Sequence, residues 1–153
     1  MPDVFISYSV KNEEIAKNIY DQLKLKSLDV FLAPISLQPG HHWTPQIMDA
    51  LRNSDWVFLL ATKAALASPN VQQEIGGAIF GKKKLVPIMW DIEPGELPRW
   101  IADFQGLVLK SSTIEDIGRQ VTQLAEKVKA DKLNGLAIAG VLITALLVLG
   151  SRG

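Results

Sequence analysis

Five short apolar runs, separated by stretches of helical period, constrain this chain more than any other feature. They are Val4-Phe5-Ile6, Val30-Phe31-Leu32, Trp56-Val57-Phe58-Leu59-Leu60, Leu85-Val86-Pro87-Ile88-Met89 and Leu107-Val108-Leu109. The runs are continuous rather than alternating and rich in β-branched and aromatic residues, as expected of strands covered by helices on both faces. Pro87 removes one ladder donor and predicts a frayed or edge-like place for the fourth strand. Between the first two runs, Ile15, Ile19 and Leu23 recur four apart, after Asn12 as a candidate cap and with Glu13 and Glu14 in the favourable first turn. A second helix is expected after Thr44-Pro45, with Thr44 as the cap, Pro45 at the first helical position, and Ile47 and Leu51 as its buried stripe. The spacing predicts a third helix over residues 69–80, after Ser68, with Val71, Ile75 and Ile79 inward. A fourth is predicted over residues 114–129, with Ile117, Val121, Leu124 and Val128 inward.

Strands joined through helices close as right-handed crossovers. The expected fold class is therefore α/β: a flavodoxin-like five-stranded parallel sheet of order 2-1-3-4-5, flanked by helices. Ligands of such sheets lie outside the carboxyl ends of the strands, which directs attention to the loops after residues 9, 33, 62 and 90. The chain's 153 residues leave room for one such domain, residues 1–130, and a tail. Without cysteine, the chain has no disulfide, thiolate zinc site or cysteine nucleophile. Sixteen basic residues balance sixteen acidic ones, so the overall charge favours no nucleic-acid partner. Lys82-Lys83-Lys84 reads as a solvated loop on the same ground. No Gly-x-Gly-x-x-Gly turn and no phosphate-binding lysine loop is present. His41 and His42 are adjacent, so on an extended loop they point opposite ways, and no metal site is expected.

The tail is a different material. Leu133 to Ser151 holds no charged residue in nineteen positions. As a helix it would be about 28 Å long, close to the roughly 30 Å of a bilayer's hydrocarbon core. A buried C-terminal helix would normally keep a polar face, and this segment has only Asn134, Thr144 and Ser151 to make one. Residues 133–151 are therefore expected to be a single-pass transmembrane helix, a tail anchor. Lys127, Lys129 and Lys132 precede it and only Arg152 follows, which holds the domain on the cytoplasmic side. Met1-Pro2-Asp3 is unlike the start of a signal peptide. Gly135 and Ala139, four apart, are a weak hint of helix pairing.

The residues also add up to a family resemblance. Asp3-Val4-Phe5-Ile6-Ser7-Tyr8-Ser9 resembles the opening strand of Toll/interleukin receptor (TIR) domains. Leu32-Ala33-Pro34 through Gly40-His41-His42-Trp43 resembles their long loop after the second strand. Ser54 to Leu60 resembles their third strand, and Ser68-Pro69-Asn70-Val71-Gln72-Gln73-Glu74-Ile75-Gly76 resembles the helix that carries the glutamate of NAD-cleaving members. The likeness covers about residues 3–130, in order and in register.

That resemblance implies an NAD+ nucleosidase with Glu74 as its catalytic carboxylate and with NAD+ as substrate, needing no cofactor. Nicotinamide is already a cationic leaving group, so the chemistry asks for stabilisation of an oxocarbenium-like centre and a grip on the ribose hydroxyls. Without the resemblance Glu74 is a surface helix charge. Ser7 and Tyr8 end the first strand and are candidates to line the site with Ala33, Trp43, Asn70 and Trp90, while Ser68 begins a helix whose amides attract phosphate. Pro34, Pro39 and Gly40 fall in the loop that the resemblance assigns to assembly with other TIR domains. One departure stands out: Asn70 occupies a position where related enzymes often carry an aromatic residue, which would stack on a ring of the dinucleotide. Trp43 and Trp90 are candidates for that platform, against the plainer role of packing. Gly76 and Gly77 inside a helix suggest close backbone packing or a bend. Two functions compete: NAD+ cleavage activated by self-association at a membrane in immune signalling, and a non-enzymatic membrane-anchored adaptor that recruits other TIR proteins. A receiver-like phosphoacceptor ranks below both, since the first strand is not followed by an acidic pair.

Overall fold

All five apolar runs are strands of one parallel sheet in the computed structural model of the chain, which describes residues 2–35, 45–67, 76, 83–102, 104, 106–109 and 112–138. The strands are β1 (Val4–Ser9), β2 (Val30–Ile35), β3 (Trp56–Ala61), β4 (Lys84–Met89) and β5 (Leu107–Val108). Their order is β2-β1-β3-β4-β5, as the connectivity predicts. Strand order reverses between β1 and β3, so the carboxyl ends of these two strands flank the switch point. β1 to β4 extend further toward their carboxyl ends or by one residue at their start than the apolar runs alone suggest, because polar residues such as Ser7, Ser9 and Lys84 still pair along the ladder.

The connecting helices are α1 (Glu13–Leu25), α2 (Pro45–Asn53), α3 (Lys63–Leu66), α4 (Arg99–Ala102) and α5 (Ile114–Ile138). The two faces of the sheet build separate cores. Val4, Ile6, Tyr8, Trp56 and Phe58 pack on α1 and α5 through Ile19, Leu23, Ile117, Val121 and Val128. Phe5, Ala33, Val57, Leu59 and Leu85 pack on α2, α3 and α4 through Leu51, Ala65 and Ile101. Alternation along each strand sends odd and even residues to opposite faces, and this assigns every side chain near the strand ends to one core or the other.

Several expectations need correction. Asn12 makes no side-chain cap; a 3-10 turn over Val10–Asn12 precedes α1, and the Ser9 hydroxyl accepts from the Lys11 N–H at 3.3 Å instead. Pro87 lies in an interior strand, paired with Leu59 of β3. The N–H groups of Lys84 and Trp90 donate to Asp55 and Ala61 on the β3 side, so by alternation the missing Pro87 donor faces β5. β5 begins to pair only opposite Ile88, so Pro87 deprives no ladder partner. A Cβ on Gly106 would lie 2.2 Å from the Pro87 carbonyl oxygen, so glycine is required where the chain enters β5. A Cβ on Gly76, by contrast, would meet nothing within 4 Å among the described residues, and Gly77 lies outside them.

α5 continues nine residues beyond its predicted end at Lys129: Ala130 to Leu133 are all compatible with a helix, no proline follows, and Gly135 alone does not end it. The domain's last helix and the beginning of the apolar segment are one helix. Among the described residues no helix is long and apolar enough to cross a membrane. Most of the predicted span, residues 139–151, lies outside them.

Candidate functional site

The carboxyl edge of the sheet is where the fold collects unused polarity. Ser7, near the end of β1, stands in register with Ala33 on one side and Leu59 on the other. All three side chains belong to the face covered by α2 and α3, and Ser7 and Ala33 are fully buried. The Ser7 hydroxyl is buried and has no hydrogen-bond partner among the described residues. A hydroxyl in that condition costs about 1–3 kcal/mol relative to a satisfied one. Its neighbour Ser9, also fully buried, is engaged as the cap described above.

Tyr8 points the other way. Its side chain is 5 % exposed and belongs to the core beneath α1 and α5. Burial pushes the phenol's pKa above its ordinary value of 10, the Glu13 carboxylate adds to the rise, and Lys17 opposes it. Tyr8 is thus held as a neutral phenol at physiological pH. Trp90, directly after β4, is half-buried against the same core. It borders a cleft of about 400 Å³ with Lys11, Asn12, Glu14, Asn18 and Ile117. The structure therefore brings Ser7 together with Ala33, and Tyr8 onto the face where Trp90 sits, with the sheet between the two pairs.

At the end of β3, Thr62 is fully buried and its hydroxyl accepts from the Ala65 N–H at 3.1 Å, capping α3. The Lys63 N–H donates to the Asp91 carboxylate at 2.8 Å, which ties the loop after β3 to the loop after β4. Sequence reasoning missed Asp91 and the cleft residues Lys11, Glu14 and Asn18. A signal for the cleft was present, since polar residues on the exposed first turns of α1 follow a strand end. Asn12 Oδ1 is itself buried without a partner among the described residues.

Glu74, Ser68, Asn70 and Trp43, together with Pro39 and Gly40 of the assembly loop, lie outside the described residues. Pro34 continues β2 opposite Tyr8. Gly76, two positions beyond Glu74, is helical. Among the described residues no group of three or more His, Asp or Glu could hold a metal ion.

A family model described as the TIR domain matches residues 4–125. The chain belongs to the TIR domain family. Over 105 residues it is 27 % identical to a probable 2′ cyclic ADP-D-ribose synthase, BdTIR, of Brachypodium distachyon. That match covers 66 % of this chain and 47 % of the relative, so the chain spans about half the length of the curated relative it matches. The TIR domain of the Toll-related receptor TRR-2 from Hydra magnipapillata superposes with a TM-score of 0.63 at 20 % identity, covering 84 % of this chain and 99 % of that one. The TIR domains of the activated Roq1 resistosome, which recognises the pathogen effector XopQ, superpose with a TM-score of 0.65 at 18 % identity, covering 83 % and 99 %. At these identities the two structures establish the fold.

Proposed function

We propose that this chain cleaves NAD+ between ribose and nicotinamide, with Glu74 as the catalytic carboxylate, and that association of TIR domains at a membrane switches it on. The observation that carries the reading is Glu74 in the Ser68–Gly76 motif of a chain similar to a protein named as a cyclic ADP-ribose synthase. As the C1′–N bond breaks, nicotinamide departs neutral with the electron pair and positive charge grows on the ribose. A carboxylate beneath the ring stabilises that charge and orients the ribose hydroxyls. Water attacking C1′ gives ADP-ribose; attack by a hydroxyl of the same molecule gives a cyclic product. NAD+ is consumed as substrate, and no cofactor takes part.

Residues 133–151 supply the anchor in this reading, with the TIR domain on the cytoplasmic side. Nineteen uncharged positions, preceding lysines and the unbroken run of α5 to Ile138 support it. Confinement to a surface raises the effective concentration of neighbouring domains, which favours assembly through the loop that includes Pro34, Pro39 and Gly40. A role in immune signalling accords with the company the fold keeps.

Asn70 favours a second reading, a membrane-anchored adaptor that recruits other TIR proteins without turnover. The two separate on paired variants of the inserted full-length protein, scored for NAD+ loss by chromatography and for partner capture. An enzyme loses NAD+ cleavage with Glu74→Ala. An adaptor is indifferent to Glu74→Ala, never consumes NAD+, and loses its partner with Pro39→Ala.

A further inference from the structure

The opposite, amino edge of the sheet carries its own construction. α5 runs antiparallel to the strands: Ile117, in its first turn, borders the carboxyl-edge cleft with Trp90, while its far end meets the first residues of the strands. The Asp131 carboxylate accepts from Trp56 Nε1 at 3.3 Å and pairs with Lys84, the opening residues of β3 and β4. Lys132 pairs with Asp3, just before β1, at 3.2 Å. Asp131 stands two residues before Leu133, about 3 Å of helix rise. The helix thus leaves the domain at the amino edge, with the apolar segment beginning immediately.

A cleft of about 530 Å³ opens at this edge between β4 and α5. Trp56, Lys83, Lys84, Lys127, Asp131 and Asn134 line it. Three ammonium groups face one carboxylate there, a local charge of +2 in a chain whose total is zero. Lys83 is fixed by donating to the Arg52 and Ser54 carbonyls, both at 2.6 Å. Lys84 lies 5.2 Å from the centre of the Trp56 ring. Lys129 and Lys132 border the neighbouring groove beside Leu133.

We propose that the amino edge faces the bilayer and that the Lys83–Lys84–Lys127 cleft binds the headgroup phosphate of an anionic phospholipid. The inference rests on the reading of residues 133–151 as an anchor. Given that anchor, the helix, unbroken to Ile138, sets this edge at headgroup depth, where clustered lysines attract anionic lipid. The six-residue strands then hold the carboxyl edge roughly 20 Å further from the membrane, open to the cytosol.

The absence of cysteine makes the test clean, because one introduced cysteine takes one fluorophore. Asp55→Cys marks the amino edge and Lys63→Cys the carboxyl edge, both at exposed positions. The full-length protein is placed in phosphatidylcholine nanodiscs containing a minority of headgroup-labelled quencher lipid, either phosphatidylserine or phosphatidylcholine. Quenching at position 55 should be stronger with labelled phosphatidylserine, and position 63 should show no preference. Lys127→Glu, a change of two charges, should reduce that preference about thirty-fold, and Lys83→Gln, a change of one, about five-fold. Equal quenching by the two lipids, or indifference to Lys127→Glu, in a chain that resists alkaline extraction overturns the headgroup site and leaves the anchor standing. Extraction at alkaline pH overturns the anchor and the site together. Loss of the preference in inorganic phosphate, at an ionic strength matched with chloride, supports the headgroup phosphate as the group the cleft holds.

Discussion

The two edges of the sheet are built for different ends. At the amino edge two carboxylates and a buried hydroxyl are spoken for: Asp3 takes the Asp29 N–H at 2.9 Å and Lys132, Asp131 takes Trp56 and Lys84, and the Ser54 hydroxyl donates to the Ala50 carbonyl at 2.6 Å. At the carboxyl edge the buried Ser7 hydroxyl and Asn12 Oδ1 have no partner among the described residues, and a cleft opens beside Trp90. Polar groups left unpaired lower stability, and both of these stand at the end where parallel sheets bind ligands. The ion pairs of the amino edge are solvated at their lysine ends and contribute little individually. Their consequence is geometric, holding the end of α5 against the strands.

This contrast yields graded expectations. Gly106→Ala strikes the frame common to both edges: its Cβ would collide with the Pro87 backbone, and the loss should be about 1–3 kcal/mol. Denaturant unfolding measures it, and a wild-type midpoint would show that β5 docks more loosely than described. The two buried serines come next. Ser54→Ala should cost about 1 kcal/mol by removing a satisfied hydrogen bond, whereas Ser7→Ala should raise stability by about 1 kcal/mol, since it removes a buried hydroxyl that has no partner among the described residues. Equal losses at the two positions would erase the distinction between the edges. The smallest effect concerns Tyr8. Its pKa is raised in the fold, so the unfolded chain releases the phenolic proton first, near pH 10, and the stability this group contributes is present below that pH and falls as pH rises through the folded pKa. Tyr8→Phe should flatten that alkaline decline in a pH series of unfolding midpoints and leave neutral pH nearly unaffected.

The sheet order was legible because hydrophobic runs and helical period are local properties, and right-handed crossovers leave few ways to connect them. Boundaries were less so. The Ser9 cap and the 3-10 turn compete with Asn12 over three residues, and propensity alone does not choose between them. Pro87 misled because strand alternation, invisible until the neighbours are known, turns its missing donor toward the end of the ladder that β5 does not reach. At the site, a motif gives order along the chain and not the face a side chain takes. Ser7 and Tyr8 are adjacent in sequence and stand on opposite sides of the sheet. Glu74 is proposed through its motif alone and lies outside the described residues, since a lone glutamate in a stretch of helical period carries no chemical signature.

The most direct measurement is the time course of NAD+ loss and product formation by the membrane-inserted full-length protein, run beside Glu74→Gln and Ser54→Ala with unfolding midpoints for all three. The account predicts that Glu74→Gln lowers turnover by about 10²–10³-fold at unchanged stability, while Ser54→Ala loses about 1 kcal/mol of stability and keeps its turnover. NAD+ left intact by densely packed wild-type protein, or consumed equally by Glu74→Gln, would contradict it.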